Sequence, residues 1–250
     1  MNSSHRALVL AAIALFAACR SGVKDDPILR LSAAESLTEG KRLFEDEKYS
    51  AARPYFTHAF EVEPNSPAGR EALLLVADSL FLQGGDTNLI QAEAKYRDFQ
   101  NRFPTSERGA YVQLRIAQSL SRQIERPDRD QTATVKAIEA YEDLLRLYPT
   151  SDEAETAQEE IRGVRDRLAE HEFLVGDFYL RYGLPAATIA RIEGLLERFP
   201  DYSRTDRALF VLAEAYRKTE RADDAQATLT RLREEFPDSP WTGKILARAK

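Results

Sequence analysis

Cysteine, methionine and tryptophan each occur once in these 250 residues, and histidine three times. A lone cysteine excludes a disulfide framework, and so few sulfur and imidazole ligands exclude an ordinary zinc centre. No cofactor is implied. Glycine and proline are held to 11 each, leaving a chain rich in Ala, Leu, Glu and Arg, residues that lose least on entering a helix. The only long apolar run, Ala7 to Ala18, falls short of the roughly 20 residues that span a bilayer. Positive charge is in deficit: 35 Lys and Arg against 41 Asp and Glu leave a net charge of −6, which excludes a basic nucleic-acid binder. An apolar content of 43% excludes a disordered chain. Catalytic signatures are missing as well. There is no Gly-rich phosphate loop and no Gly-x-Ser-x-Gly elbow, and His171-Glu172 is followed by Phe173, Leu174 and Val175, without the second His of a zinc-protease helix. These absences predict a non-enzymatic, all-α protein that acts through a binding surface.

His5-Arg6, the apolar run and a polar segment starting at Arg20 are the parts of a secretory signal. The junction Phe16-Ala17-Ala18-Cys19 resembles a bacterial lipobox, with Phe16 where Leu is usual. That resemblance implies cleavage before a diacylated Cys19, so that residues 1–18 are a signal peptide and 19–32 a lipidated tether. Each buried acyl CH₂ contributes about 0.8 kcal/mol, so several chains anchor a protein that does not itself span the membrane. Arg20, rather than Asp, follows Cys19, which by the same resemblance implies the periplasmic face of the outer membrane.

The rest of the chain repeats itself. Five dipeptides end in proline, at Pro64, Pro104, Pro149, Pro200 and Pro237. Twelve residues before each proline lies Ala52, Ala92, Ala137, Thr188 or Ala225, and eight before it Phe56, Tyr96, Tyr141, Ile192 or Leu229. Gly40, Gly176 and Ala213 lie twenty-four before three of them. Small residues let two helices approach, bulky ones fill the space between units, and proline ends the second helix. Pro54 and Pro185 are expected in the opening turn of a second helix, and Thr150-Ser151-Asp152-Glu153 has the spacing of a capping box. The pattern resembles the tetratricopeptide repeat, and implies a right-handed α-solenoid of five helical hairpins over 33–250. The repeats run roughly 33–66, 72–106, 112–151, 169–202 and 206–239. Copy two is expected to be stretched at Gln83 to Thr87, copy three at Glu125 to Asp130, and a charged helical stretch, Asp152 to Ala169, leads into copy four.

Counting from the small residue of each first helix places Leu37, Lys41, Phe44, Leu74, Asp78 and Phe81 toward a groove. The apolar members beside Lys41 suit a peptide with an aromatic residue and a terminal carboxylate. In the fourth copy Arg191 has no carboxylate one turn away on its own helix, where Ala187, Thr188, Gly194 and Leu195 stand. This predicts a guanidinium free for another protein and a charge reversal that costs little in folding.

The lipobox, the five repeats and two fourth-copy stretches, Asp166-Arg167-Leu168-Ala169-Glu170-His171-Glu172-Phe173 and Ala190-Arg191-Ile192-Glu193-Gly194-Leu195-Leu196, resemble the BamD family of outer-membrane assembly lipoproteins. The resemblance covers about residues 31–240. It implies a scaffold subunit of the β-barrel assembly machine whose C-terminal repeats contact the periplasmic POTRA region of a BamA-like barrel subunit. By resemblance Asp166, Arg167, Arg191 and Glu193 carry that contact, Arg191 against a carboxylate of the partner. The N-terminal repeats would meet unfolded outer-membrane proteins, and other Bam lipoproteins are further expected partners. Two readings stay open beside it: a periplasmic repeat protein of Tol-Pal type, and a lipoprotein regulatory subunit of a periplasmic enzyme.

Overall fold

The computed structural model describes residues 26–248, and their secondary structure is helical throughout, with no strand among them. Cys19 and the lipobox lie outside the described residues. A 3-10 turn, Pro27–Arg30, opens the fold, its first N–H groups served by Asp26, whose Oδ1 accepts from the Ile28 N–H at 3.0 Å. Ten helices form five hairpins: α1 (Ala33–Glu45) with α2 (Tyr49–Val62), α3 (Pro67–Gln83) with α4 (Asp86–Arg102), α5 (Gly109–Ser121) with α6 (Thr132–Leu147), α7 (Asp152–Arg181) with α8 (Pro185–Arg198), and α9 (Thr205–Lys218) with α10 (Ala222–Glu235). A last helix, α11 (Pro240–Arg248), follows. The chain divides into two compact units, one ending at Ala72 and the other beginning at Leu73.

In the first unit, Ser32 and Glu35 form a reciprocal cap on α1: the Ser32 Oγ accepts from the Glu35 N–H and the Glu35 carboxylate from the Ser32 N–H at 2.9 Å. The core is Leu37, Ala52, Phe56 and Ala59. The repeat register explains how α1 and α2 approach: a Cβ on Gly40 would lie 2.6 Å from Cε1 of the fully buried Phe56. His58 is structural, its Nε2 donating to the Leu31 carbonyl at 3.0 Å. Pro54 departs from expectation. It lies inside α2, where its missing N–H removes the intrahelical donor to the Ser50 carbonyl.

In the second unit each helix packs on its sequence neighbours from α4 onward, the arrangement of a tetratricopeptide-like solenoid. Ala92, Ala137 and Thr188 are fully buried, as are Tyr96 and Ile192, and Tyr141 is nearly so. Each large side chain taken wholly out of water contributes about 1.5–3 kcal/mol. Copy two is stretched by longer helices, 17 residues each in α3 and α4, and only Gly84 and Gly85 separate them. Copy three is stretched by a true loop, 122–131. The charged stretch and the first helix of copy four are one 30-residue helix, α7. Its N-cap is Ser151, without a side-chain cap bond, and the Ser151 Oγ is buried without a partner; the capping box expected there does not form. Pro185 is the first residue of α8, as the spacing predicted. At the far end Trp241 stacks on Phe210 at 5.0 Å, with the Lys244 ammonium 3.7 Å from its ring centre.

Candidate partner-binding surface on the fourth repeat

Gly176 on α7 sets the geometry of the fourth hairpin. A Cβ there would meet Ile192 Cδ1 at 2.6 Å, so the two helices run close enough for the residue beside Ile192 to reach back across the seam. That residue is Arg191. Its Nη1 lies 2.6 Å from an Oε of Glu172, one turn before Gly176 on α7, and Arg198 Nη2 lies 2.9 Å from the other oxygen. Glu172 is buried, its side chain 10% exposed, whereas Arg191 is 37% and Arg198 54% exposed. The expectation that Arg191 stands unpaired is therefore corrected. The carboxylate that takes Arg191 lies nineteen residues away in sequence, on the neighbouring helix. A shared carboxylate fixes both guanidiniums, and Arg198 is held further by its Nε, which donates to the Gly194 carbonyl at 3.2 Å.

The other expected contact residues each serve a different neighbour. Asp166 accepts from the Ser203 N–H at 2.7 Å and from its hydroxyl at 2.9 Å, tying α7 to the turn that enters α9. Glu193 is exposed and accepts from the Tyr216 hydroxyl of α9; burial, then this bond, raises that phenol to about 12. Arg167 is exposed and faces the third-copy loop, where it lines a cleft with Ile124, Pro127 and Arg129. Sequence reasoning missed Glu172 and also Glu170, which accepts from the Tyr202 hydroxyl and pairs with Arg204 at 3.3 Å and Arg207 at 3.6 Å. It missed too a patch at the end of α7, where Phe178 (45% exposed) and Tyr182 (70%) pack ring on ring at 4.2 Å. The i, i+4 aromatic spacing was the available signal.

The expected peptide-groove residues divide by environment. In the first unit Lys41 is 42% exposed and pairs with Glu71 at 2.6 Å, Leu37 is buried, and Phe44 packs edge-on against Tyr49 and Phe56. In the second unit Leu74 is buried. Phe81 is buried too, with the guanidiniums of Arg115 and Arg122 over its ring at 4.6 and 4.7 Å. Asp78 is not groove-facing. It is buried and accepts from the Tyr96 hydroxyl at 2.6 Å and the Tyr111 hydroxyl at 2.8 Å; burial raises its carboxyl above the ordinary range in spite of both bonds. Among the described residues no group of three or more His, Cys, Asp or Glu is placed to hold a metal ion. No described helix is long and apolar enough to cross a membrane.

The chain is similar to proteins of known name. The outer membrane protein assembly factor BamD of Haemophilus influenzae is 27% identical over 231 residues, 87% of this chain and 86% of the relative. That of Rickettsia prowazekii is 28% identical over 223 residues, 89% and 87%. Among solved structures, the TPR2AB domain of yeast Sti1 in complex with pHSP90 aligns over 83% of this chain and 78% of its own, at 16% identity and a TM-score of 0.45. A family model described as YfiO, outer membrane lipoprotein, matches residues 30–230. Because that match runs from the opening turn into the last hairpin, the chain belongs to the YfiO family of outer membrane lipoproteins.

Proposed function

We propose that this protein is a non-enzymatic scaffold of outer-membrane protein assembly, held on the periplasmic face of the outer membrane by acyl chains on Cys19. The observation that carries the reading is the family match over residues 30–230, joined to relatives named as the assembly factor BamD. In this reading the fourth repeat meets the POTRA region of a BamA-like barrel subunit. Arg191 is the central contact: permanently charged, planar, half-exposed and oriented by Glu172. Glu193, Asp166 and Arg167 flank it along the same hairpin, and other Bam lipoproteins are further partners. Unfolded outer-membrane proteins are met by the first repeat, where Lys41 and Phe44 retain solvent access beside the buried Leu37. Leu74 and Phe81 are buried in the second unit and are not contact residues in this reading.

Co-purification of the barrel subunit from detergent-solubilised membranes tests the central contact. Arg191→Gln, at wild-type abundance and melting temperature, is expected to reduce recovery about tenfold or more, since loss of one partner in an interfacial charge pair costs roughly 2–5 kcal/mol. Unchanged recovery removes Arg191 from the interface. The anchor is tested by metabolic fatty-acid labelling, which wild type should take up and Cys19→Ser should not. Equal labelling of the two rejects it.

A further inference from the structure

The loop of the third copy is shaped more firmly than a connecting segment needs. The His171 ring, on α7, donates from Nδ1 to the Pro127 carbonyl at 2.6 Å. From the other side the Gln131 amide donates to the carbonyls of Arg126 at 3.1 Å and Arg129 at 3.0 Å. Within the loop Arg126 is tied to Asp128, Nη2 to Oδ2 at 2.6 Å and Nε to Oδ1 at 3.0 Å, and Asp130 accepts from the Thr132 N–H and hydroxyl. Beside these bonds lies a shallow, solvent-open cleft of about 630 Å³ lined by Ile124, Glu125, Arg126, Pro127 and Arg129 of the loop and by Arg167 of α7.

The charges in the cleft are unequally used. Arg126 is neutralised by Asp128. Arg129 adds only a longer-range pull on that carboxylate, and among the described residues neither Arg129 nor Arg167 forms an ion pair. Two exposed arginines, Arg129 and Arg167, thus line a cleft together with Ile124, Pro127 and Glu125. A guanidinium takes a carboxylate through two parallel N–H groups, and hydrocarbon beside it takes an apolar side chain. An anionic bilayer fits worse: Glu125, Asp128 and Asp130 lie in the same loop and the whole chain carries −6.

We infer that this cleft is a binding site for a segment of a partner protein in which an acidic side chain stands beside an apolar one. The carboxylate lies against Arg129 and Arg167, the apolar side chain against Ile124 and Pro127, and Glu125 favours a basic residue next in the segment. The site shares Arg167 with the surface proposed for the barrel subunit but is otherwise built from the third-copy loop, and its test uses peptides alone and does not depend on that subunit.

The test uses the full mature chain in detergent micelles and the fluorescein-labelled peptides Gly-Glu-Leu-Lys-Gly and Gly-Gln-Leu-Lys-Gly, read by anisotropy. The Glu peptide should bind saturably and about tenfold tighter than the Gln peptide, because hydrogen bonds between charged groups are the stronger class. Arg129→Gln and Arg167→Gln should each erase that preference at an unchanged melting temperature. The double reversal Arg129→Glu with Arg167→Glu should transfer it to Gly-Lys-Leu-Glu-Gly, a gain that a merely damaged fold does not produce. No saturable binding of the Glu peptide, equal binding of both peptides, or a preference that survives both Gln variants overturns the proposal. So does binding of dihexanoylphosphatidylglycerol in place of the peptide, which would make the cleft a headgroup site.

Discussion

Glu172 holds two arginines and is buried, so the fourth repeat is more sensitive to charge at this point than its surface position suggests. Arg191→Glu sets a second carboxylate against Glu172 with only Arg198 left to neutralise both. A loss of about 1–2 kcal/mol is expected, below the 3–5 of a fully buried pair because Arg191 is 37% exposed. Thermal melts should show Arg191→Glu below Arg191→Gln; equal melting temperatures would contradict the shared-carboxylate geometry. A second residue-scale case is Asp78. Its carboxyl is raised by burial, so folding favours the protonated form. Stability is then lost as pH rises from about 3.8, its ordinary value, through the higher folded value. Asp78→Asn should flatten that slope relative to wild type. Asp78→Ala should instead cost about 1–3 kcal/mol, by leaving the Tyr96 and Tyr111 hydroxyls without their acceptor. Neither Glu172 nor Asp78 was legible as a network in the sequence, because their partners lie 18 to 33 residues away on other helices.

Helices and their seams were far more legible. The register of small and bulky residues before each proline reports steric fit between adjacent helices, and the structure pairs Gly40 with Phe56 and Gly176 with Ile192. Features set by a local hydrogen bond were less so: Thr150 and Glu153 have capping-box spacing, but the helix begins one residue later with Ser151 at its N-cap and no side-chain cap bond, while Ser32 and Glu35 do form a box. The seam makes its own prediction. Gly40→Ala gains helix propensity but places a methyl group 2.6 Å from a ring that has nowhere to go, so a net loss of about 1–3 kcal/mol is expected. Gly163→Ala on α7 and Gly194→Ala on α8 meet nothing within 4 Å and should gain about 0.5–1 kcal/mol. Denaturant midpoints of the three variants order them directly, and Gly40→Ala at or above wild type would break the close-approach account.

For the molecule as a whole, the second unit is built from neighbour contacts, and its stability is therefore spread along the array. Ile192 belongs to an apolar cluster that draws on α7, α8, α9 and α10, including Phe173, Tyr202 and Leu212. Ile192→Ala should cost about 2–5 kcal/mol. Hydrogen exchange should accelerate in those four helices first, with the amides around Tyr96 and Ile116 responding less. Uniform acceleration from α4 to α10 would mean that the unit opens as a single block.

The lone tryptophan turns this arrangement into an optical instrument. Among the described residues Trp241 packs at the far edge of the array, against Phe210 and beside Lys244, so its emission watches the last hairpin and its closing helix, while circular dichroism averages every helix. The two signals coincide through a melt only where the chain gives way all at once. An emission change that precedes the dichroic one marks fraying from the C-terminal end inward, seen without any added label.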